Sequence, residues 1–244
     1  MKASQAAVTV AEVTSSQWGL VTAAQARMHG VTRLDLSRLA SAGHLVRLAH
    51  GVYKHAGVPS DDFEDLRAAW LSTDPERLAA ERLSDGPEGV VVSGPSAAHL
   101  HALGDLPADQ HEFTTSRRRQ TQRGELRYRQ RSLSDRDVTI RAGLPVTTVE
   151  RTIADLVEAH TDRSLVADVL GDAARKTTID VNVLGDLLAP LADSNGLRRG
   201  DGASLCRRLL ESARLDPDSL IQRIARSAAY ATLAETARKV ENIG

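Results

Sequence analysis

Two helix starts lie ten residues apart in this chain, written in the same chemistry. Thr22-Ala-Ala-Gln25 and Thr32-Arg-Leu-Asp35 each place a threonine three residues before a side chain able to reach back to it. In such a box the hydroxyl accepts the backbone N–H of the third helical residue, whose side chain accepts the threonine N–H. Gly30 falls between the two, and glycine enters the left-handed conformation that ends a helix without a Cβ penalty. Only Val31 separates that glycine from the second cap, so two short helices must meet at a tight turn. Val31 and Leu36 occupy the positions of a hydrophobic staple, which fixes the angle at which the chain enters the second helix. That helix carries Leu36, Leu39 and Ala40 on one stripe and ends near Gly43.

The flanking segments define what the pair belongs to. Val8 to Trp18 can form a preceding helix, with Val10, Val13 and Trp18 as apolar anchors. Leu45-Val-Arg-Leu-Ala49, His50-Gly51 and Val52-Tyr-Lys54 read as two short strands around a tight turn. A hairpin directly after the third helix is a wing, so residues 1–58 are expected to form a winged helix-turn-helix domain. With the apolar stripe buried, Arg33, Ser37, Arg38 and Ser41 lie on the outward face of the third helix, and Thr32 at its start. Arg47, His50 and Lys54 add donors on the wing. A recognition helix needs such groups for base edges and phosphates, and the expected partner is double-stranded operator DNA. A helical module that binds protein is the alternative, and the basic rather than apolar outward face weighs against it.

Charge is distributed in blocks. Residues 22–58 hold five basic side chains and one acid, residues 59–89 three and nine, and residues 116–141 nine arginines and three acids. The middle block reads as an acidic helical connector, residues 59–88, with Phe63, Leu66, Trp70 and Leu71 inward and Pro75 restarting a second helix. Gly89 to Val92 is a short buried strand, Ser93 to Leu103 a helix, and β-like periodicity recurs at 111–115, 125–131, 137–141 and 144–146. Thr147-Thr-Val-Glu150 caps a helix carrying Ile153, Leu156 and Val157. The pattern is helical from about Thr161 to the end, with Asp216-Pro217 as cap and first residue of a last long helix. The expected fold is α/β (α+β): an N-terminal winged helix-turn-helix joined to a C-terminal α/β domain, residues 89–244, with extra C-terminal helices.

Leu20-Val-Thr-Ala-Ala-Gln-Ala26, Gly30-Val-Thr-Arg33, Leu39, Gly43-His-Leu-Val-Arg47 and His50-Gly-Val-Tyr53 resemble the amino-terminal domain of AbiEi-type antitoxins. These are the regulator halves of two-gene bacterial toxin–antitoxin systems. Ser93-Gly-Pro-Ser-Ala-Ala-His-Leu-His-Ala-Leu103 and Gly143-Leu-Pro-Val-Thr-Thr-Val-Glu-Arg-Thr-Ile-Ala-Asp-Leu156 resemble later parts of the same family. The likeness runs from about Thr14 to Lys176. It implies a transcriptional repressor of its own operon, whose α/β carboxy-terminal domain counters a nucleotidyltransferase-like toxin of a type IV pair. It implies no catalytic residues.

One further surface stands out. In Glu125-Leu-Arg-Tyr-Arg-Gln-Arg131 a strand would turn Leu126 and Tyr128 inward and line up Arg127, Arg129 and Arg131 outward. Arg117, Arg118, Arg119 and Arg123 extend the strip upstream. It is a candidate surface for nucleic acid or toxin, and a solvated sheet face is the plain alternative.

Other chemistry finds little support. His99 and His101 point about 200° apart on a helix and cannot chelate one ion together, so no metal is expected. No Walker loop, dinucleotide fingerprint or zinc-peptidase motif occurs, and no cofactor is expected. A nuclease, in which Asp105 and Glu125-Leu-Arg127 would stand for an acid followed by Glu-x-Lys, is a weaker alternative, because a guanidinium substitutes poorly for a water-positioning lysine. Arg151 and Asp155, four apart, suggest an ion pair within a helix. Cys206, the sole cysteine, excludes internal disulfides and fits a reducing cytoplasm. With neither a signal peptide nor an apolar run long enough for a membrane span, the expectation is a cytoplasmic, non-enzymatic regulator. A winged-helix regulator without a toxin is the remaining alternative; the operator and the oligomeric state stay open.

Overall fold

The computed structural model describes residues 3–107 and 109–216, which fold as two compact units. One comprises residues 3–92 and 109–146, the other residues 93–107 and 147–216. The strands of the middle of the chain therefore belong with the amino-terminal module, a division that differs from a linear partition at residues 58 and 88. The long helix expected from Asp216-Pro217 lies outside the described residues.

The first unit opens with α1 (Ala3–Ser15), β1 (Leu20–Thr22), α2 (Ala23–Met28), α3 (Arg33–Ser41), β2 (Leu45–Ala49) and β3 (Val52–His55). Both capping boxes form, with Thr22 on Gln25 and Thr32 on Asp35. Both helices also close alike. Gly30 N–H donates to Arg27 O and Val31 N–H to Ala26 O, each at 2.9 Å; Gly43 and His44 repeat this on Ala40 and Leu39. Such paired bonds satisfy the last carbonyls and require the positive φ that Gly30 and Gly43 adopt. Val10, Val13, Val31, Leu36, Leu39 and Leu45 form the core of the module.

Two local readings need adjustment. α1 begins at Ala3 rather than Val8 and ends at Ser15, so Trp18 is not one of its anchors. The hydroxyls of Thr14, Ser15 and Ser16 donate back to Ala11, Glu12 and Val13 carbonyls, a competition that ends helices, and Trp18 then takes a left-handed φ of 59°. The wing also has a third strand. β1 pairs antiparallel with β3 through Leu20–Lys54, Val21–Tyr53 and Thr22–Val52, giving the order β1-β3-β2.

The connector forms α4 (Glu64–Thr73) and α5 (Ala79–Leu83), the latter starting four residues beyond Pro75. The intervening turn is bound to the helix-turn-helix. Thr22 Oγ1 donates to Pro75 O, Gln25 Nε2 to Arg77 O at 2.8 Å, and Ala79 N–H to Gln17 Oε1 at 3.2 Å. Gln17 and Gln25, both buried, are joined by a 2.6 Å amide bond. Beyond α5 a mixed five-stranded sheet is built from β4 (Val91–Val92), β5 (His111–Thr115), β6 (Leu126–Gln130), β7 (Val138–Arg141) and β8 (Leu144–Thr147), ordered β6-β5-β4-β8-β7. β4 runs antiparallel to β5 and parallel to β8, and β5 runs parallel to β6. Trp70 of α4 is buried and donates its indole N–H to Val90 O at 2.7 Å. Trp18 packs edge-on to Trp70 and under the Arg67 guanidinium, which also donates to Ala142 O at 3.2 Å. Gly143 follows with φ 80°, and a Cβ there would lie 2.8 Å from the Trp18 ring. The winged module is thus locked to the sheet by side chains from α4 and the β7–β8 turn.

The second unit is helical among its described residues: α6 (Gly94–Leu100), α7 (Val149–Glu158), α8 (Arg163–Lys176), α9 (Val181–Leu188) and α10 (Gly202–Ser212). Its core includes Ile153, Leu156, Val169, Leu170, Leu184, Leu205 and Leu209. Arg151 and Asp155 make the expected i,i+4 pair at 2.8 Å, in the buried face of α7. Cys206 is buried, which lifts its thiol to about 11 and keeps it protonated at neutral pH.

Candidate nucleic-acid interface

α3 is presented by its two ends. The Thr32 hydroxyl accepts the Asp35 N–H at 3.2 Å and donates to Asp35 Oδ2 at 2.6 Å. Asp35, the only acid on α3, is 7% exposed. The Thr32 hydroxyl and N–H hold its carboxyl below the ordinary carboxylate range. The one negative charge on the helix is therefore turned inward and engaged in the cap. Leu36 and Leu39 face the core, while Arg33, Ser37, Arg38 and Ser41 are all exposed. No other acidic side chain lies on α3 to oppose them. Thr32 is also exposed, but its hydroxyl already serves the cap.

On the wing, Arg47 and His50 are exposed, and Arg47 Nε lies 3.4 Å from Ala49 O. Lys54 corrects the sequence reading. It is 6% exposed, with its ammonium on Ser60 Oγ at 2.7 Å and on the Glu64 carboxylate. Residues on a strand alternate between faces, so burying Val52 turns Lys54 inward with it. Lys54 therefore ties β3 to α4 rather than facing solvent.

Leu34 was not singled out by sequence, yet it is 59% exposed on the same helix face. Its spacing from Ser37, Arg38 and Ser41, at i+3, i+4 and i+7, is the signal that places it there.

The arginine-rich segment is largely engaged within its own unit. Leu126 is buried, and the Tyr128 ring packs tilted on Phe113 at 6.1 Å between centroids. Arg127 is exposed and pairs with Glu112 at 3.2 Å, while Arg129 and Arg131 are half-buried. Upstream, Arg119 donates to Thr73 O and Arg123 to Ser72 Oγ, each at 2.7 Å. Arg82 joins them from α5, donating to Trp70 O and Thr73 Oγ1 at 2.8 Å while its guanidinium stacks 3.6 Å from the Trp70 ring centre. Burial pushes Arg82 down to about 10, which leaves it charged at neutral pH. Three guanidinium groups thus gather at the C-terminal end of α4, where the helix dipole and unpaired carbonyls favour cations. Arg117 and Arg118 are exposed.

His101 is buried and its Nε2 lies 2.8 Å from Thr147 O, while His99 is exposed. Glu125 is held by Arg123 at 2.8 Å. Among the described residues, no cluster of His, Cys, Asp and Glu is suited to a metal, and no helix is long and apolar enough to cross a membrane.

Two capped helices, a glycine turn and a three-stranded wing define a winged helix-turn-helix, here followed by an α/β region. Residues 9–53, the helix-turn-helix and most of the wing, match the family described as transcriptional regulator, AbiEi antitoxin. A search of curated proteins gives no match. Among solved structures, the chain resembles the RV2827C protein from Mycobacterium tuberculosis, with TM-score 0.53 and 17% identity, over 86% of this chain and 78% of that one. That likeness concerns the fold.

Proposed function

We propose that this protein is a DNA-binding transcriptional repressor and antitoxin that controls its own operon and counters a nucleotidyltransferase-like toxin encoded beside it, as in type IV pairs. The observation that carries the first half is the α3 face: a helix whose only acid is buried in its own cap and whose exposed side chains are Arg33, Ser37, Arg38 and Ser41. Two arginines and two hydroxyls on a wing-flanked helix suit base-edge and phosphate contacts, with Arg47 and His50 adding phosphate donors. The antitoxin half rests on the family match across residues 9–53. Thr32 supports the site by holding the start of α3. Arg117 and Arg118 offer a second, smaller cationic surface, whereas Arg119, Arg123 and Arg127 serve first to brace α4 and β5. No role requires catalysis.

A reporter fused to the DNA upstream of this gene tests the regulatory half. The full chain should repress it, and Arg33→Ala with Arg38→Ala should release it. Co-expression with the adjacent reading frame tests the other half, with growth rescue expected. Repression without rescue would reduce the protein to a regulator with no toxin.

A further inference from the structure

Leu34 is the second residue of α3 and 59% exposed, although its neighbours in sequence, Arg33 and Asp35, are charged. It shares one helical stripe with Ser37, Arg38 and Ser41, all exposed. Nothing along that stripe is acidic, because Asp35 is turned into the cap. An apolar protein partner would need a wider apolar surface than a leucine among two serines and an arginine. The groove of DNA offers the matching chemistry: phosphates and acceptors for the cations, and one apolar group, the thymine 5-methyl.

Resting on the DNA-binding reading above, we propose that Leu34 reads the 5-methyl group of a thymine in the major groove. The first residues of a recognition helix are those that reach base edges. Leu34 and Arg38 stand one helical turn apart, with Cβ atoms about 5–6 Å from each other. Base pairs rise about 3.4 Å along the axis. The methyl is therefore within about one or two base pairs of the base engaged by Arg38, and a guanine, with two acceptors in bidentate reach, suits that arginine. The recognised sequence then holds a thymine close to a guanine, with Ser37 and Ser41 completing the stripe.

The probe is a duplex enriched by the full-length protein from a random library, then resynthesised with deoxyuridine replacing each thymine in turn. Deoxyuridine lacks only the methyl. At one thymine, wild-type affinity should fall about fourfold, the effect of losing one buried methyl. Leu34→Ala should bind the parent duplex more weakly and be indifferent to deoxyuridine at that position, while Leu34→Met stays sensitive. If no deoxyuridine weakens binding, or if the same loss persists in Leu34→Ala, Leu34 does not read thymine, and sequence-selective binding still stands. If Leu34→Ala changes only the sedimentation of the free protein, its contact is with protein and the proposal fails. If the library yields no preferred sequence, the DNA-binding reading falls with it.

Discussion

Replacing Gln25 with alanine should unlock the helix-turn-helix from the connector behind it. The Gln25 amide does three jobs while 1% exposed. Its Oε1 accepts the Thr22 N–H at 2.9 Å and the Gln17 amide at 2.6 Å, and its Nε2 donates to Arg77 O at 2.8 Å. Truncation leaves the buried Thr22 N–H and the part-buried Arg77 carbonyl without that partner, and a buried polar group left unsatisfied costs about 1–3 kcal/mol. Gln17 keeps Leu20 O and the Ala79 N–H, so it adds little. A water entering the vacated space recovers part of the loss. The net expectation is about 2–4 kcal/mol. Urea unfolding followed by tryptophan fluorescence reports on the right region, since Trp18 and Trp70 both lie in the first unit. With slopes of about 1–3 kcal/mol per molar urea, the midpoint should fall by roughly 1–2 M. Gln5→Ala, on the exposed side of α1, is the control and should stay within about 0.5 kcal/mol of the parent. Equal midpoints for the two variants would refute the buried amide network as a structural lock.

Gly143→Ala should destabilise the same unit. Left-handed backbone alone costs about 1–2 kcal/mol, and the new methyl meets the Trp18 ring; an unchanged urea midpoint and unchanged tryptophan emission would count against that packing. For Asp35, a carboxyl held below its ordinary value of 3.8 contributes stability that is complete above that value and lost as pH falls through the lower folded one. The midpoint gap between wild type and Asp35→Asn should therefore be widest at neutral pH and narrow in acid, and a gap independent of pH contradicts the cap. Cys206, with its thiol raised to about 11 by burial, should resist an aromatic disulfide reagent at pH 8 until urea unfolds the chain. Rapid labelling of the native protein would place that thiol elsewhere.

What the sequence disclosed and what it concealed divide along the range of the interactions. Both caps, both glycine stops and the β2–β3 hairpin are written within a few residues, and their chemistry is local. The three-residue β1 is too short to show a period and exists because β3, some thirty residues later, pairs with it. Lys54 reads as a wing donor by its charge alone, whereas strand alternation from buried Val52 turns it inward. The arginine segment was legible as a strip of charge but not as the brace of α4, because Arg119 and Arg123 meet Thr73 and Ser72 across 46 and 51 residues. For the same reason, strands at 111–146 do not declare in sequence that they join the winged module rather than the later helices.

Sequence-selective binding through α3 is tested most directly by anisotropy of the DNA fragment upstream of this gene, with random-sequence DNA as competitor. Wild-type full-length protein should prefer the fragment by about 10³-fold or more. Arg33→Ala and Arg38→Ala should each lose about 1–3 kcal/mol of discrimination if they engage base edges, with a smaller change on random DNA. Wild-type selectivity retained by both variants, or no preference for the fragment at all, would contradict the placement of α3 in the major groove.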